Sequence, residues 1–263
     1  MKSDYDNALA HKYRVEHDGD FVPGVTTAIN ILDKPGLKWA AAKLTAEYTF
    51  DYAVNETINP TDTPDEEILK HCTGHFDRVW RDKAATGTRV HDVAERWTNG
   101  ESVEVSLADQ GFVDALEAFH KEFKPRFLMA ERVVLNKTLG FGGRFDFIGY
   151  LEGIGVVLGD YKSGSKRPLE AALQASAYLH GKLATYDENG ALSELQSLPK
   201  LDGARTIYLH ADGSFEMSDP FEIIPEDEAF EAFTACLKLF TLHKSLTKTL
   251  KQGEENGRVQ EES

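Results

Sequence analysis

With 263 residues, 41% apolar and 10% aromatic, the chain is long enough to bury a full core, which excludes a wholly disordered polypeptide. No apolar run approaches the ~20 residues of a membrane helix, and the polar start Met1–Ala10 lacks the apolar segment of a signal peptide. Two cysteines, Cys72 and Cys236, are too few for a disulfide framework or for a four-thiolate iron–sulfur cluster. These features lead us to expect a soluble cytoplasmic protein with no membrane partner. The net charge of −15 argues against a phosphate-rich partner, but the charge is uneven. Between Lys121 and Arg167 nine basic residues face five acidic ones, so the rest of the chain carries −19.

In chain order, residues 13–27 read as a short strand, a turn at His17-Asp18-Gly19-Asp20, and a helix start capped by Thr26 or Thr27. Pro35-Gly36 is expected to break that helix and a second to run from Lys38 to Tyr52. Residues 54–63 form a polar loop. Thr63-Pro64-Asp65-Glu66 starts a helix with Ile68, Cys72, Phe76 and Trp80 as its apolar stripe. Gly87-Thr88 opens the next, with Val90, Val93, Ala94 and Trp97 on one face. Residues 108–123 are amphipathic through Phe112, Leu116, Phe119 and Phe123.

The period then changes. Segments 128–136, 143–151 and 154–162 are β-rich and separated by turns at 140–143 and Glu152-Gly153. A helix from Pro168 to Thr185, a polar loop at 186–203 and a strand at Ala204–His210 follow. A last helix at 225–245 carries Phe230, Phe233, Leu237 and Phe240, and the chain beyond Lys248 is expected to fray. There are no repeats. Helices, three antiparallel strands, a helix and a strand imply an α/β fold: one mixed sheet flanked by helices, with an N-terminal helical region. The expected division is a helical region at 1–84 packed on a core at 85–247, then a polar tail at 248–263.

The chemistry-bearing residues sit where those strands end. Alternation places Asp160 and Lys162 on one side of their strand, after the buried run Val156-Val157-Leu158. Asp146, on the preceding strand and opposite the apolar face of Phe145 and Phe147, can converge on Asp160 across the tight turn. Two facing carboxylates repel unless a cation lies between them, and hard oxygen ligands select Mg²⁺ or Mn²⁺. A lysine beside such a metal can orient and help deprotonate water or stabilise developing negative charge. Alone, Asp160 and Lys162 read equally as a surface ion pair. Glu131 is either a further acidic ligand or the partner of a neighbouring arginine. His71, Cys72 and His75 superficially resemble a metal site. Cys72 fits the apolar stripe, however, and the histidines read as one solvated face. Gly140–Gly143 reads as a turn, since no Lys-Ser/Thr follows it.

Taken together, Gly87-Thr88-Arg89-Val90-His91, Gly143-Arg144-Phe145-Asp146, Asp160-Tyr161-Lys162 and Gln174-x-x-x-Tyr178 resemble the RecB-like branch of the PD-(D/E)XK nuclease superfamily. The similarity is greatest to phage exonucleases and the mitochondrial genome maintenance exonuclease group. It spans roughly Val25 to His210 and includes Val25-Thr26-Thr27 and Lys83-Ala84-Ala85. Phe145 stands where the superfamily name has Pro, and the cysteines of the CRISPR-associated relatives are absent, so no iron–sulfur cluster is expected. The resemblance implies a restriction-endonuclease-like core. It implies Asp146, Asp160 and the Tyr161 carbonyl as metal ligands, with His91 ligating or positioning the metal. It implies that Lys162 holds the attacking water, and that Gln174 and Tyr178 brace the lysine and contact the DNA backbone.

Arg144, Ser163, Lys166, Arg167 and Tyr178 are the candidate DNA contacts. Ser163, Ser165, Lys166 and Arg167 lead into Pro168, a helix start suited to phosphate or only a polar loop. The expected activity is Mg²⁺- or Mn²⁺-dependent exonucleolytic hydrolysis of single-stranded DNA or duplex ends, in phage-type recombination or DNA processing within a host cytoplasm. A single-strand annealing or replication protein is a natural partner. A structure-specific endonuclease, or a DNA-binding recruitment protein with a vestigial site, are the alternatives.

Overall fold

A computed structural model describes residues 3–16, 19–54, 65–101, 105–164 and 166–261. His17, Asp18, the expected loop at 54–63 beyond Val54, and the Thr63-Pro64 helix start lie outside these. The chain divides into two compact units, one of Met1–Leu32 with Val93–Ser263, the other of Asp33–Asp92. No helix among the described residues is long and apolar enough to cross a membrane.

The first unit begins with α1 (Asp4–Leu9), closed by a capping box in which Ser3 and Asp6 satisfy each other's backbone N–H groups. Strands β1 (Tyr13–Arg14) and β2 (Phe21–Val22) pair with each other, and α2 (Val25–Ile29) follows. Its N-cap is Gly24, so Thr26 and Thr27 lie inside the helix and do not cap it.

The second unit is helical: α3 (Pro35–Val54), α4 (Asp65–Thr73) and α5 (His75–Thr98) up to Asp92. Pro35 occupies the first turn of α3, where its missing N–H costs nothing. Gly87-Thr88 does not open a helix, because α5 already runs from His75. The Thr88 hydroxyl donates back to the Ala84 carbonyl at 3.1 Å, the usual outlet for a threonine inside a helix. His71 is exposed and His75 half-buried, as a solvated face requires, and both engage Tyr48. The His75 ring stacks on Tyr48 with centroids 4.0 Å apart, and Tyr48 Oη lies 2.6 Å from His71 Nε2. Cys72 is buried and free.

The first unit continues with the remainder of α5 from Val93, then α6 (Gln110–Phe123), β3 (Arg126–Asn136), β4 (Phe141–Leu151), β5 (Gly155–Lys162) and α7 (Pro168–Leu179). β6 (Lys182–Tyr186), β7 (Leu192–Gln196), β8 (Gly203–Leu209), β9 (Phe215–Ser218) and α8 (Glu226–Glu261) complete it. Seven strands form one mixed sheet in the order β7-β6-β3-β4-β5-β8-β9, in which only β5 and β8 run parallel. The fold class is therefore the expected one, α/β with a mixed sheet and flanking helices. Leu173 and Ala177 of α7, Val25 and Ile29 of α2, and Phe233 and Leu237 of α8 cover one face, against Phe145, Ile148 and Leu158. On the other, Phe119 of α6 meets Tyr161, and Tyr161 and Phe127 meet Phe147.

Besides β2, which stands where a helix entry was expected, three strands of the large sheet are not evident in the sequence. The helix expected to reach Thr185 stops at Leu179, and β6 starts after Gly181, where a side-chain Cβ would lie 2.8 Å from that of Val134. The loop expected at 186–203 contains β7, reached through a turn with Gly190 at φ +73°. Beyond β8, Asp212 Oδ1 accepts from Ser214 N at 3.0 Å and Gly213 has φ +87°, which folds β9 back. At the C-terminal end, α8 runs to Glu261, well into the tail expected to fray.

Candidate active site

Positions of the site side chains follow from a break in the sheet. The β4–β5 ladder runs from Leu151↔Gly155 to Phe147↔Gly159 and then ends. Just beyond it, the Tyr161 N–H donates to Asp146 Oδ2 at 2.6 Å, so a carboxylate takes the place of a main-chain acceptor and the strands part. Asp146 is thereby fixed against the backbone that joins Asp160 to Lys162. On its other side β5 stays paired, with Asp160 in register with buried Thr206 of β8.

Lys162 Nζ lies 2.8 Å from Asp160 Oδ2 and donates to Gln174 Oε1 at 3.0 Å. The Gln174 amide nitrogen donates to Asp160 Oδ1 at 3.1 Å and to the Tyr178 hydroxyl oxygen at 2.9 Å. Each partner comes from a predictable place: Asp160 and Lys162 from one side of β5, Gln174 and Tyr178 from successive turns of α7. Burial is the largest influence on Lys162 and opposes its charge, but Asp160 and Asp146 together outweigh it and raise its pKa. It is a cation held among acceptors.

Two glycines make this closure possible. A Cβ on Gly143 would lie 2.4 Å from a ring carbon of Tyr178, and one on Gly142 would lie 2.5 Å from the Tyr13 ring. Both belong to β4, so of the Gly140–Gly143 stretch only Gly140, with φ +70°, acts as the turn residue. Glycine at 143 lets the Tyr178 ring approach the strand closely.

Glu131 stands across β3–β4 from Asp146, between the pairs Arg132↔Phe145 and Ala130↔Phe147. Of the two readings of Glu131, the geometry shows the arginine pair. Arg144 Nε donates to its Oε2 at 2.8 Å, which is the arginine pair. Its carboxyl is nonetheless pushed up to about 8, first by burial and then by Asp146, with Glu95 and Asp160 adding to the effect and Arg144 opposing it. Its neighbours thus favour the protonated form of this carboxyl. The backbone at Glu131 is itself unusual, with φ +49°.

Among the remaining expected site residues, Arg144 is half-buried and engaged with Glu131. Tyr161 donates its N–H to Asp146 while its ring lies on the opposite face among Phe119 and Phe147. Ser163 is half-buried just beyond β5, and Ser165 lies outside the described residues. Lys166 pairs with Glu216 of β9, and Arg167 with Glu170 at 3.2 Å. His91 lies on α5 within the Asp33–Asp92 unit. Thr206 and Tyr208 on β8, and Glu95 on α5, border the cluster and were not singled out from sequence. Only the parallel β5–β8 pairing brings the first two close, and no local pattern announces it.

Among the described residues, no three His, Cys, Asp or Glu side chains form a ready-made metal cage. No known protein-family profile matches the chain, and no curated protein is similar enough to match it.

Proposed function

We propose that the protein is a metal-dependent nuclease that hydrolyses phosphodiester bonds of DNA at the Asp146–Asp160–Lys162 cluster. The observation that carries this reading is the parted β4–β5 ladder. It presents two carboxylates and a braced lysine together, with a third carboxyl, Glu131, beside them. A structural ion pair needs neither Asp146 in the ladder nor Gln174 bridging both members of the pair.

The donor set fits a hard divalent cation. Asp146 and Asp160 offer carboxylate oxygens, and Glu131 is a third within their electrostatic reach. Mg²⁺ takes one or two protein carboxylates and keeps several waters, so a closed cage is not required. Bound there, Mg²⁺ or Mn²⁺ would supply a water of lowered pKa and neutralise charge on the phosphate.

The chain's own residues do the rest. Lys162, charged and aimed by Asp160 and Gln174, can hold a water oxygen or a phosphoryl oxygen by charge-assisted hydrogen bonding. Gln174 fixes both members of the pair at once, and Tyr178 fixes Gln174. An exonuclease acting on single strands or duplex ends, assigned to the RecB-like PD-(D/E)XK group with a restriction-endonuclease-like core, is the form the sequence motifs favour. Partnership with a single-strand annealing or replication protein belongs to the same proposal.

The test is cleavage of 5′- and 3′-labelled single- and double-stranded DNA with Mg²⁺, Mn²⁺ or EDTA. Metal-dependent products that disappear with Lys162→Ala support the proposal. Wild-type protein inert on every substrate in both metals overturns it.

A further inference from the structure

A second parting of strands lies beside the first. β3 and β6 pair only at Val134↔Leu183 and Leu135↔Lys182, although β3 extends back to Arg126 and β6 on to Tyr186. Between Ala130–Val133 and Ala184–Tyr186 the strands diverge, with Glu131 and its positive φ at the parting. A cavity of about 600 Å³ fills this fork, lined by Ala130, Val133 and Ala184 of the two strands and by Glu131, which stands across the strands from Asp146.

The far side of the cavity is built. α1 is held over the fork by Tyr5 N–H donating to the Gly190 carbonyl at 2.9 Å and Leu192 N–H donating to Asp4 Oδ2 at 3.1 Å. Asp4 also pairs with Arg14 at 3.1 Å. This fixes the Tyr5 ring 5.2 Å from that of Tyr186, so the two form an aromatic wall.

We infer that this fork is a subsite for a single nucleobase of the strand being cleaved, stacked against Tyr5 and Tyr186. The inference rests on the nuclease reading and adds a recognition element to it. Edges of parted strands offer main-chain N–H and C=O groups, and aromatic rings offer a stacking face, the two things a planar heteroaromatic base needs. Charge excludes phosphate as the occupant: Glu95, Asp187 and Glu188 line the cavity against Arg132 alone. A peptide strand is a poorer fit, because the Val134↔Leu183 pairing closes the fork at one end and a continuing chain cannot pass through.

The experiment uses the full chain and short single-stranded oligonucleotides in which one abasic position is walked along the strand. For wild type, one position relative to the cut should lower cleavage about tenfold when its base is removed, the size of one lost base–aromatic stack. Tyr5→Ala should lower cleavage of the intact strand by a similar factor and become indifferent to that abasic position. Ala130→Leu, filling the cavity from the strand side, should do the same. Equal cleavage of every abasic substrate, or losses from Tyr5→Ala and the abasic site that simply multiply, overturns the subsite and leaves the nuclease reading standing. If no strand is cut at all, the nuclease reading falls, and 2-aminopurine riboside then judges the cavity. Saturable quenching of its fluorescence that Tyr5→Ala abolishes supports base binding, and no quenching overturns it.

Discussion

Gln174 holds Lys162 by accepting one of its ammonium protons at 3.0 Å, and the same amide donates to Asp160, the lysine's own counter-charge. The amide thus fixes where the ammonium points without neutralising it. If Lys162 acts on water or phosphate, Lys162→Ala should lower cleavage at least ~10²–10³-fold while DNA binding in Ca²⁺ stays near wild type. Gln174→Leu keeps the charge and loses the aim, so its loss should be smaller, about tenfold. Equal activity of wild type and Lys162→Ala, with contaminating nuclease excluded, would remove the lysine from the mechanism.

Metal should stabilise the fold as well as enable cleavage. Asp146, Asp160 and Glu131 crowd like charge into one cluster, and a divalent cation bound there discharges it. At ~100-fold over the dissociation constant, Mg²⁺ contributes about 2.7 kcal/mol, a rise of several degrees in Tm. Asp146→Asn retains an amide oxygen for the Tyr161 N–H, so it should fold, melt higher than wild type without metal, and lose most of the Mg²⁺ shift. A structural ion pair between Asp160 and Lys162 requires the opposite: no response to Mg²⁺ and lower stability on neutralising Asp160. Thermal melts of the three proteins with and without Mg²⁺ separate these outcomes.

The parts of the site that were legible in the sequence are those set by local periodicity. Asp160 and Lys162 share a side because a strand alternates, and Gln174 and Tyr178 share one because a helix turns in 3.6 residues. Parts that depend on non-local pairing were not legible. Thr206 meets Asp160 only through a parallel pairing that crosses α7 and two strands. The pairing of Lys166 with Glu216 needs β9, a strand the reading missed. Some misses had signals that were outweighed: Gly181 interrupts the apolar run from Pro168 to Thr185, and Asn189-Gly190 is a hairpin signature. The run's helical continuity hid the first, and the polarity of residues 186–203 hid the second. Glycine at 143 stands in the sequence where a turn gives way to a strand, and its contact with Tyr178 does not show, because a requirement for close approach of a distant tyrosine leaves no local trace.

That glycine gives a direct test of how the site is assembled. The Cβ of Gly143→Ala would lie 2.4 Å from Tyr178 Cε1, closer than atoms tolerate, so the ring or the strand must shift. Overpacking of this kind costs ~1–3 kcal/mol. Because Tyr178 braces Gln174, activity should fall along with Tm. The double variant Gly143→Ala/Tyr178→Leu, which removes the ring, should recover part of the stability but not the activity. Unchanged Tm and activity in Gly143→Ala would show that the contact does not position the site.

Stability below neutral pH should report on His120, whose ring packs with Phe119 and Phe127 on the sheet face opposite this chemistry. Its Nδ1 accepts from the Trp97 indole N–H at 3.2 Å, and its Nε2 is buried without a protein partner. The rings around it are Trp97, Phe119 and Phe127, and burial alone lowers its pKa to about 4. Protonating the folded form would put a proton on the nitrogen that holds Trp97, so the fold favours the neutral ring. The unfolded chain titrates near the ordinary value of ~6.5. Between pH ~6.5 and ~4 it therefore binds more protons than the folded protein, and stability falls as pH drops through that window. Below ~4 both states are protonated and the loss is complete. Allowing for partial exposure, the loss should be about 1–2 kcal/mol. His120→Gln keeps an acceptor for Trp97 and cannot titrate here, so its stability should be flatter over the same window. Urea melts of both proteins from pH 7.5 to 4 measure the difference. Parallel pH profiles for the two would assign the acid sensitivity to other groups.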